Sequence, residues 1–321
     1  MSEIWLWVIF NVLTLTMIGI DLGVVHRKAH IVKAKEAAIW STIWTVAALL
    51  INIGVLHLMG RQKALEFFTG YLIERSLSID NIFVFVLVFA YFKVPAEYQH
   101  RILFWGVLGA IVLRGAFILG GIALLDMFSW LVYLLGLLLI WGGVQMLRHD
   151  EVGVEPEKNK ILRLFRRFVP SIDSYDGAKL MTRRNGRLFA TPLMAVLIVI
   201  ETTDVVFALD SIPAILAISR DPFIVYSSNI TAILGLRALY FLFAAFVDRL
   251  RYLRYSLALI LVFVGLKMAL AHWLDHFLTT GHALMFVGAA LAVGVIASLI
   301  PQKPPRDRPP ADRSGGDPSL P

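Results

Sequence analysis

The chain has no cysteine among its 321 residues. That excludes a disulfide framework, a thiolate metal site and a dithiol redox centre of its own. Charge is also scarce, at 17% of residues, against about 25% for soluble domains. No HExxH, P-loop, GxSxG or dinucleotide-binding pattern occurs, so neither direct nucleotide hydrolysis nor one of these familiar catalytic chemistries is expected. The chain is therefore not expected to be an enzyme, and no permanently bound cofactor is expected. A metal would have to be held by oxygen or imidazole, which favours hard cations.

Apolar residues fill the space those absences leave: 58% of the chain is hydrophobic and the mean hydropathy is +0.74. This composition predicts an all-α, polytopic membrane protein. At about 20 residues per span, nine transmembrane helices are expected, near 4–20, 37–59, 65–91, 101–125, 128–147, 189–216, 224–246, 255–272 and 282–300. Glu3 and Asp21 flank the first run, which reads as a retained helix rather than a cleaved signal. With nine spans, almost all loop Lys and Arg fall on one side, and only Arg61, Lys63 and Arg220 on the other. The positive-inside rule then sets the N-terminus outside and the C-terminus in the cytoplasm. It also accounts for the net charge of +7 without a nucleic-acid partner.

Carboxylates break two of the apolar runs. One reads Glu74-Arg-Ser-Leu-Ser-Ile-Asp80-Asn81, the other Glu201-Thr-Thr-Asp204-Val-Val-Phe-Ala-Leu-Asp210-Ser211-Ile-Pro213. A charged side chain at the bilayer centre costs about 2.5–3.5 kcal/mol on insertion scales, so five acids in two spans argue for an ion or substrate pathway. Glu74 to Asp80 and Asp204 to Asp210 are both six-residue intervals. The next span of each half carries one arginine, Arg114 or Arg237, and the third ends in related patterns, Gly143-Val-Gln-Met146 and Gly265-Leu-Lys267-Met268. These landmarks predict a duplicated three-helix unit. Three spans per copy invert the second copy, the plan of transporters whose site lies at the midplane between repeats.

The expected units are 1–64 (helices 1–2), 65–147 (repeat 1), 148–188 (a basic cytoplasmic linker), 189–272 (repeat 2), 273–300 (helix 9) and a disordered tail, 301–321. Within the linker, 158–169 has the pattern of an amphipathic helix on an anionic leaflet, or of a solvated basic segment. Inversion predicts two layers of acids: Glu74 and Asp210 toward the outside, Asp80 and Asp204 nearer the centre with Glu201. Pro213 predicts an irregularity that frees the Leu209 carbonyl beside Asp210 and Ser211. The candidate metal-path residues are thus Glu74, Asp80, Asn81, Glu201, Asp204, Asp210 and Ser211, with Thr202 and Thr203 nearby. Arg114, Arg237 and Lys267 are their candidate charge partners. Structural ion pairs between helices are the alternative reading. Weaker candidates are an outer site at His272, Asp275, His276 and His282, and an inner mouth at Asp21, His26 and His30.

Lys35-Glu36-Ala37 and the two acidic motifs resemble the TerC family, in the branch that includes the Alx proteins. The resemblance runs over most of 4–300. It implies a bacterial inner-membrane protein of the LysE-like transporter superfamily. It further implies manganese(II) as the exported ion, with Glu74, Asp80, Asp204 and Asp210 on its path, and a family association with tellurium resistance. Protons are a candidate counter-ion and the lipid bilayer the surrounding partner; oligomeric state stays open. The other readings are a membrane scaffold or metal-delivery partner without flux of its own, and oxyanion binding through Arg114 and Arg237.

Overall fold

The computed structural model describes residues 3–20, 34–128, 130–148, 159–172, 174–184, 186–244, 252–270 and 279–299. The groups at Asp21, His26 and His30 and at His272, Asp275 and His276, and the tail from Pro301, lie outside the described residues. So does the side chain of Asp80, although Asp80 itself sits in a helix.

Eleven helices are described: α1 (Glu3–Ile20), α2 (Ala34–Met59), α3 (Arg61–Tyr91), α4 (Ala96–Met127), α5 (Leu131–Arg148), α6 (Lys160–Phe168), α7 (Pro192–Leu216), α8 (Pro222–Leu234), α9 (Leu236–Ala244), α10 (Leu253–Ala269) and α11 (Thr280–Leu299). Their boundaries follow local chemistry. Gly60 turns the corner between α2 and α3 at φ 88°, a conformation glycine adopts without a Cβ penalty. Pro192 and Pro222 open α7 and α8, where a missing N–H costs nothing. Asp221 caps α8 by accepting from the Phe223 and Ile224 amides.

The chain is mostly helical, with five helices long and apolar enough to cross a membrane: α2, α4, α5, α7 and α11. The broken pair α8 and α9 makes a sixth. The span expected over 224–246 is thus two helices bent by 42° around Gly235. α3 has the length, at 31 residues, but carries Lys63, Glu66, Glu74, Arg75 and Asp80. The apolar part of α1, Ile4–Ile20, and α10, at 17 residues, are shorter.

Two further departures from expectation lie in the linker and in α7. The linker holds an antiparallel hairpin, β1 (Met181–Arg184) with β2 (Arg187–Ala190), in a chain expected to be all helix. And α7 runs unbroken through Pro213 to Leu216, so the proline is accommodated near the helix end and not at a break.

Packing centres on α3 and α7. α3 lies against α7, α8, α2 and α11, while α4 lies against α7 and α8. α5 and α10 run along each other with the closest backbone approach in the molecule's described glycines. The amphipathic helix expected in the linker is present as α6, capped by Asn159, whose side chain accepts from the Ile161 and Leu162 amides. Ile161, Leu164 and Phe168 are exposed on it, and its Leu162 is buried.

Candidate functional site

A heptad step on a helix returns to nearly the same face, at 100° per residue. Glu74 and Asn81 on α3 are such a pair, and so are Asp204 and Ser211 on α7. All four turn to the centre, together with Arg114 of α4. Arg114 Nε donates to Asp204 Oδ2 at 3.0 Å and Nη2 to Asp204 Oδ1 at 2.7 Å, a two-pronged pair. Arg114 Nη1 donates to Glu74 Oε1 and also to Ser211 Oγ at 3.3 Å. Asn81 Nδ2 adds a bond to Asp204 Oδ1 at 3.3 Å. Arg114 is 1% exposed, Glu74 0% and Asp204 3%. Each isolated charge would be costly to bury; pairing and hydrogen bonding make the set tenable.

The six-residue acid spacing has the opposite consequence. Six residues turn the helix by about 240°, so on α7 Asp210 points about 120° from Asp204. Asp210 accordingly leaves the cluster and faces α5, where a Cβ on Gly142 would stand 3.4 Å from its Oδ1. Glu74 and Asp204 share one guanidinium, so the expected assignment of these two to separate layers does not hold. Ser211 belongs with Arg114 and not with Asp210. Glu201 faces Gly109 of α4, whose lack of a side chain leaves room for the carboxyl, and its Oε2 is buried with no hydrogen-bond partner among the described residues. Thr202 and Thr203 hydroxyls bond back to Ile198 and Val199 carbonyls. Among the described residues, no three His, Asp or Glu side chains converge to hold a metal ion.

Two expected charge partners lie elsewhere. Lys267 Nζ donates to the carbonyl of Ala217, the capping residue just after α7, at 2.7 Å. That places a cation at the negative end of the helix dipole. Arg237, buried at the start of α9, borders a small cleft with Ile18, Trp44, Phe104 and Leu108.

Comparison with known sequences places this arrangement in a lineage. Residues 59–306 match the model of the integral membrane protein TerC family. The chain belongs to the TerC family. It is 46% identical over 295 residues to an uncharacterised membrane protein of Myxococcus xanthus, covering 92% of each chain. It is 47% identical over 274 residues to the putative membrane-bound redox modulator Alx of Escherichia coli K12, covering 82% of this chain and 85% of that one. A Rickettsia bellii membrane protein is 39% identical over 294 residues, covering 92% of this chain and 97% of its own. No solved structure matches.

Two site residues of this TerC-family chain escaped the sequence reading. Asn229 of α8 is fully buried, and its Nδ2 donates to Glu74 Oε2 at 2.9 Å. Its signal was present: Ser227, Ser228, Asn229 and Thr231 form a polar run inside an apolar helix. Arg75, next to Glu74, donates to the Ala232 carbonyl at 3.2 Å and to Ser41 Oγ at 3.2 Å. Its guanidinium fills the space beside Gly235 where a side chain would otherwise stand.

A second charged cluster ties the start of α3 to the turn before α8. Lys63 Nζ reaches Glu66 Oε2 and Asp221 Oδ2, each at 3.1 Å. Ser219 Oγ donates to Glu66 Oε2 at 2.6 Å, and Gln62 bridges Glu66 Oε1 to Thr280 of α11.

Proposed function

We propose that the protein is a secondary transporter exporting a hard divalent cation, manganese(II), through a carboxylate site between inverted repeats. The observation that carries this reading is the meeting of Glu74 and Asp204, 130 positions apart in sequence, at one buried point near the middle of α3 and α7. Five acids in spanning segments are expensive unless used, and their oxygens suit hard cations.

Helix packing supports the repeat. Exchange of α3, α4 and α5 for α7, α8–α9 and α10 maps the α3–α8 contact onto α4–α7 and the α5–α10 contact onto itself. The match to Alx-like relatives supports a bacterial inner membrane. Counting α1, α3, α10 and the broken pair with the five apolar helices gives nine spans, with the N-terminus outside. Moving a dication outward against an inside-negative potential costs about 4.6 kcal/mol per 100 mV, at about 2.3 kcal/mol per charge. Protons are therefore the proposed counter-ion, with Glu201 and Asp210, which stand apart from Arg114, as their carriers. Asp80 remains a proposed path residue on its position in α3.

The name of the Escherichia coli relative, a membrane-bound redox modulator, favours a second reading, a membrane partner in redox or metal handling without flux of its own. With no cysteine, this chain would do so without thiols of its own. The exposed apolar and basic face of α6 would be its contact surface. A tellurium-oxyanion role through Arg114 is the least supported, because two carboxylates already occupy that guanidinium. Manganese(II) flux into proteoliposomes carrying a metal-quenched dye decides among them. Flux in the wild type that disappears with Asp204→Asn is expected; no flux from folded wild-type protein sinks the transporter reading.

A further inference from the structure

The acceptor oxygens on Arg114 are Glu74 Oε1, Asp204 Oδ1 and Oδ2, and Ser211 Oγ. Carboxylate and hydroxyl oxygens are also what a hard dication takes as ligands. One guanidinium and one metal ion cannot share them, because two cations would then stand within a few ångströms in a poorly screened interior. A second observation comes from α8. Asn229 donates its Nδ2 to Glu74, yet its Oδ1 is fully buried with no hydrogen-bond partner among the described residues. Buried acceptors are nearly always satisfied, so an orphaned amide oxygen beside a carboxylate marks a place for a further cation-binding contact. Neutral amide oxygens are ordinary ligands for hard dications.

Resting on the transporter reading, we propose that Arg114 is a tethered competitor of the transported cation for Glu74 and Asp204, and that Asn229 Oδ1 joins the site as a neutral ligand when Arg114 withdraws. Arginine suits this part because it keeps its charge at any physiological pH and matches a carboxylate edge-on. A resident competitor lowers the apparent affinity for metal. It also displaces the ion on the release side, so a cycle that delivers net flux needs it, whereas one-for-one exchange of bound ions does not.

The affinity arm of the test is manganese(II) titration calorimetry on purified full-length protein. Arg114→Gln is expected to bind about tenfold more tightly or better, since a buried opposing cation has been removed from two carboxylates. Arg114→Lys, which keeps charge but loses the two-pronged grip, should fall between. Adding Asn229→Ala to Arg114→Gln should weaken binding about tenfold again. The transport arm compares net manganese efflux with radiolabelled manganese exchange in proteoliposomes. Arg114→Gln should lose most net efflux yet retain exchange, which also shows that the variant is folded. Unchanged or weaker affinity in Arg114→Gln overturns the competitor role, as does equal loss of exchange and net efflux. Unchanged affinity on adding Asn229→Ala overturns the ligand role. A wild type that binds manganese but neither exchanges nor effluxes it overturns the transporter reading instead, and the affinity comparison then still decides the role of Arg114.

Discussion

Gly136 of α5 and Gly265 of α10 meet backbone to backbone: a Cβ on Gly136 would lie 2.8 Å from the Gly265 carbonyl oxygen, and one on Gly265 2.7 Å from that of Gly136. Seven residues away on each helix the approach recurs, with a Cβ on Gly143 falling 2.8 Å from the Ala258 carbonyl oxygen. Small residues are what allow helices to come this close.

Gly136→Val or Gly265→Val should therefore force the helix pair apart. Strain of this kind costs about 1–3 kcal/mol, read as a lowered unfolding temperature in detergent. Gly120→Ala, in α4 with nothing within 4 Å of the added carbon, is the control. It should be neutral or stabilising by up to about 1 kcal/mol. Equal behaviour of all three variants would contradict the close packing.

Asp204→Asn and Asp210→Asn should separate stability from transport. The first removes a charge from Arg114 in a fully buried cluster, a change that costs about 3–5 kcal/mol where a buried partner is lost outright. The second alters a side chain that makes no hydrogen bond or ion pair with that cluster among the described residues and should shift stability by less than about 1 kcal/mol. Both should abolish manganese flux. Normal transport by Asp210→Asn would remove it from the proposed path.

The cysteine-free chain provides its own labelling background. Arg61→Cys, at the exposed start of α3, should react with an impermeant maleimide from outside intact cells. Leu188→Cys, 59% exposed on β2, should react only after permeabilisation. The reverse pattern would invert the proposed orientation.

Outside the spans, Asp176 accepts hydrogen bonds from the Thr182 hydroxyl and from Lys179. The Thr182 hydroxyl, then the lysine, hold its carboxyl below the usual aspartate range. A depressed folded value means that this support is fully present above the unfolded pKa of about 4 and fades as pH falls through the lower folded value. Amide exchange across 181–190 should thus rise, after correction for intrinsic pH effects, on going from pH 5 to pH 3. Thr182→Val should flatten that dependence, and an unchanged profile would count against it.

Much of the helical layout was legible because apolar runs of membrane length leave little choice of secondary structure. The acids were visible for the same reason: carboxylates in such runs stand out. Their partners were harder to read. The six-residue spacing that drew notice separates faces, whereas the quieter seven-residue pairs, Glu74 with Asn81 and Asp204 with Ser211, are the ones that converge. Asn229 was hidden in a polar run that gave no reason to choose one residue over its neighbours. The break at Gly235 needed tertiary knowledge, since a lone glycine is tolerated in many membrane helices. The linker hairpin did have a signal, the Asn185-Gly186 dipeptide favoured in tight two-residue turns.

Arg75 and Glu74 are consecutive residues on one rigid helix, about 100° apart around its axis. One reaches into the elbow between α8 and α9; the other is gripped by Arg114 and Asn229. A rotation of α3 that carries Glu74 off the guanidinium must also draw Arg75 out of the elbow. Two grips on one rigid shaft are held in phase, so whatever turns α3 at Glu74 also loads the contact that Arg75 makes beside Gly235.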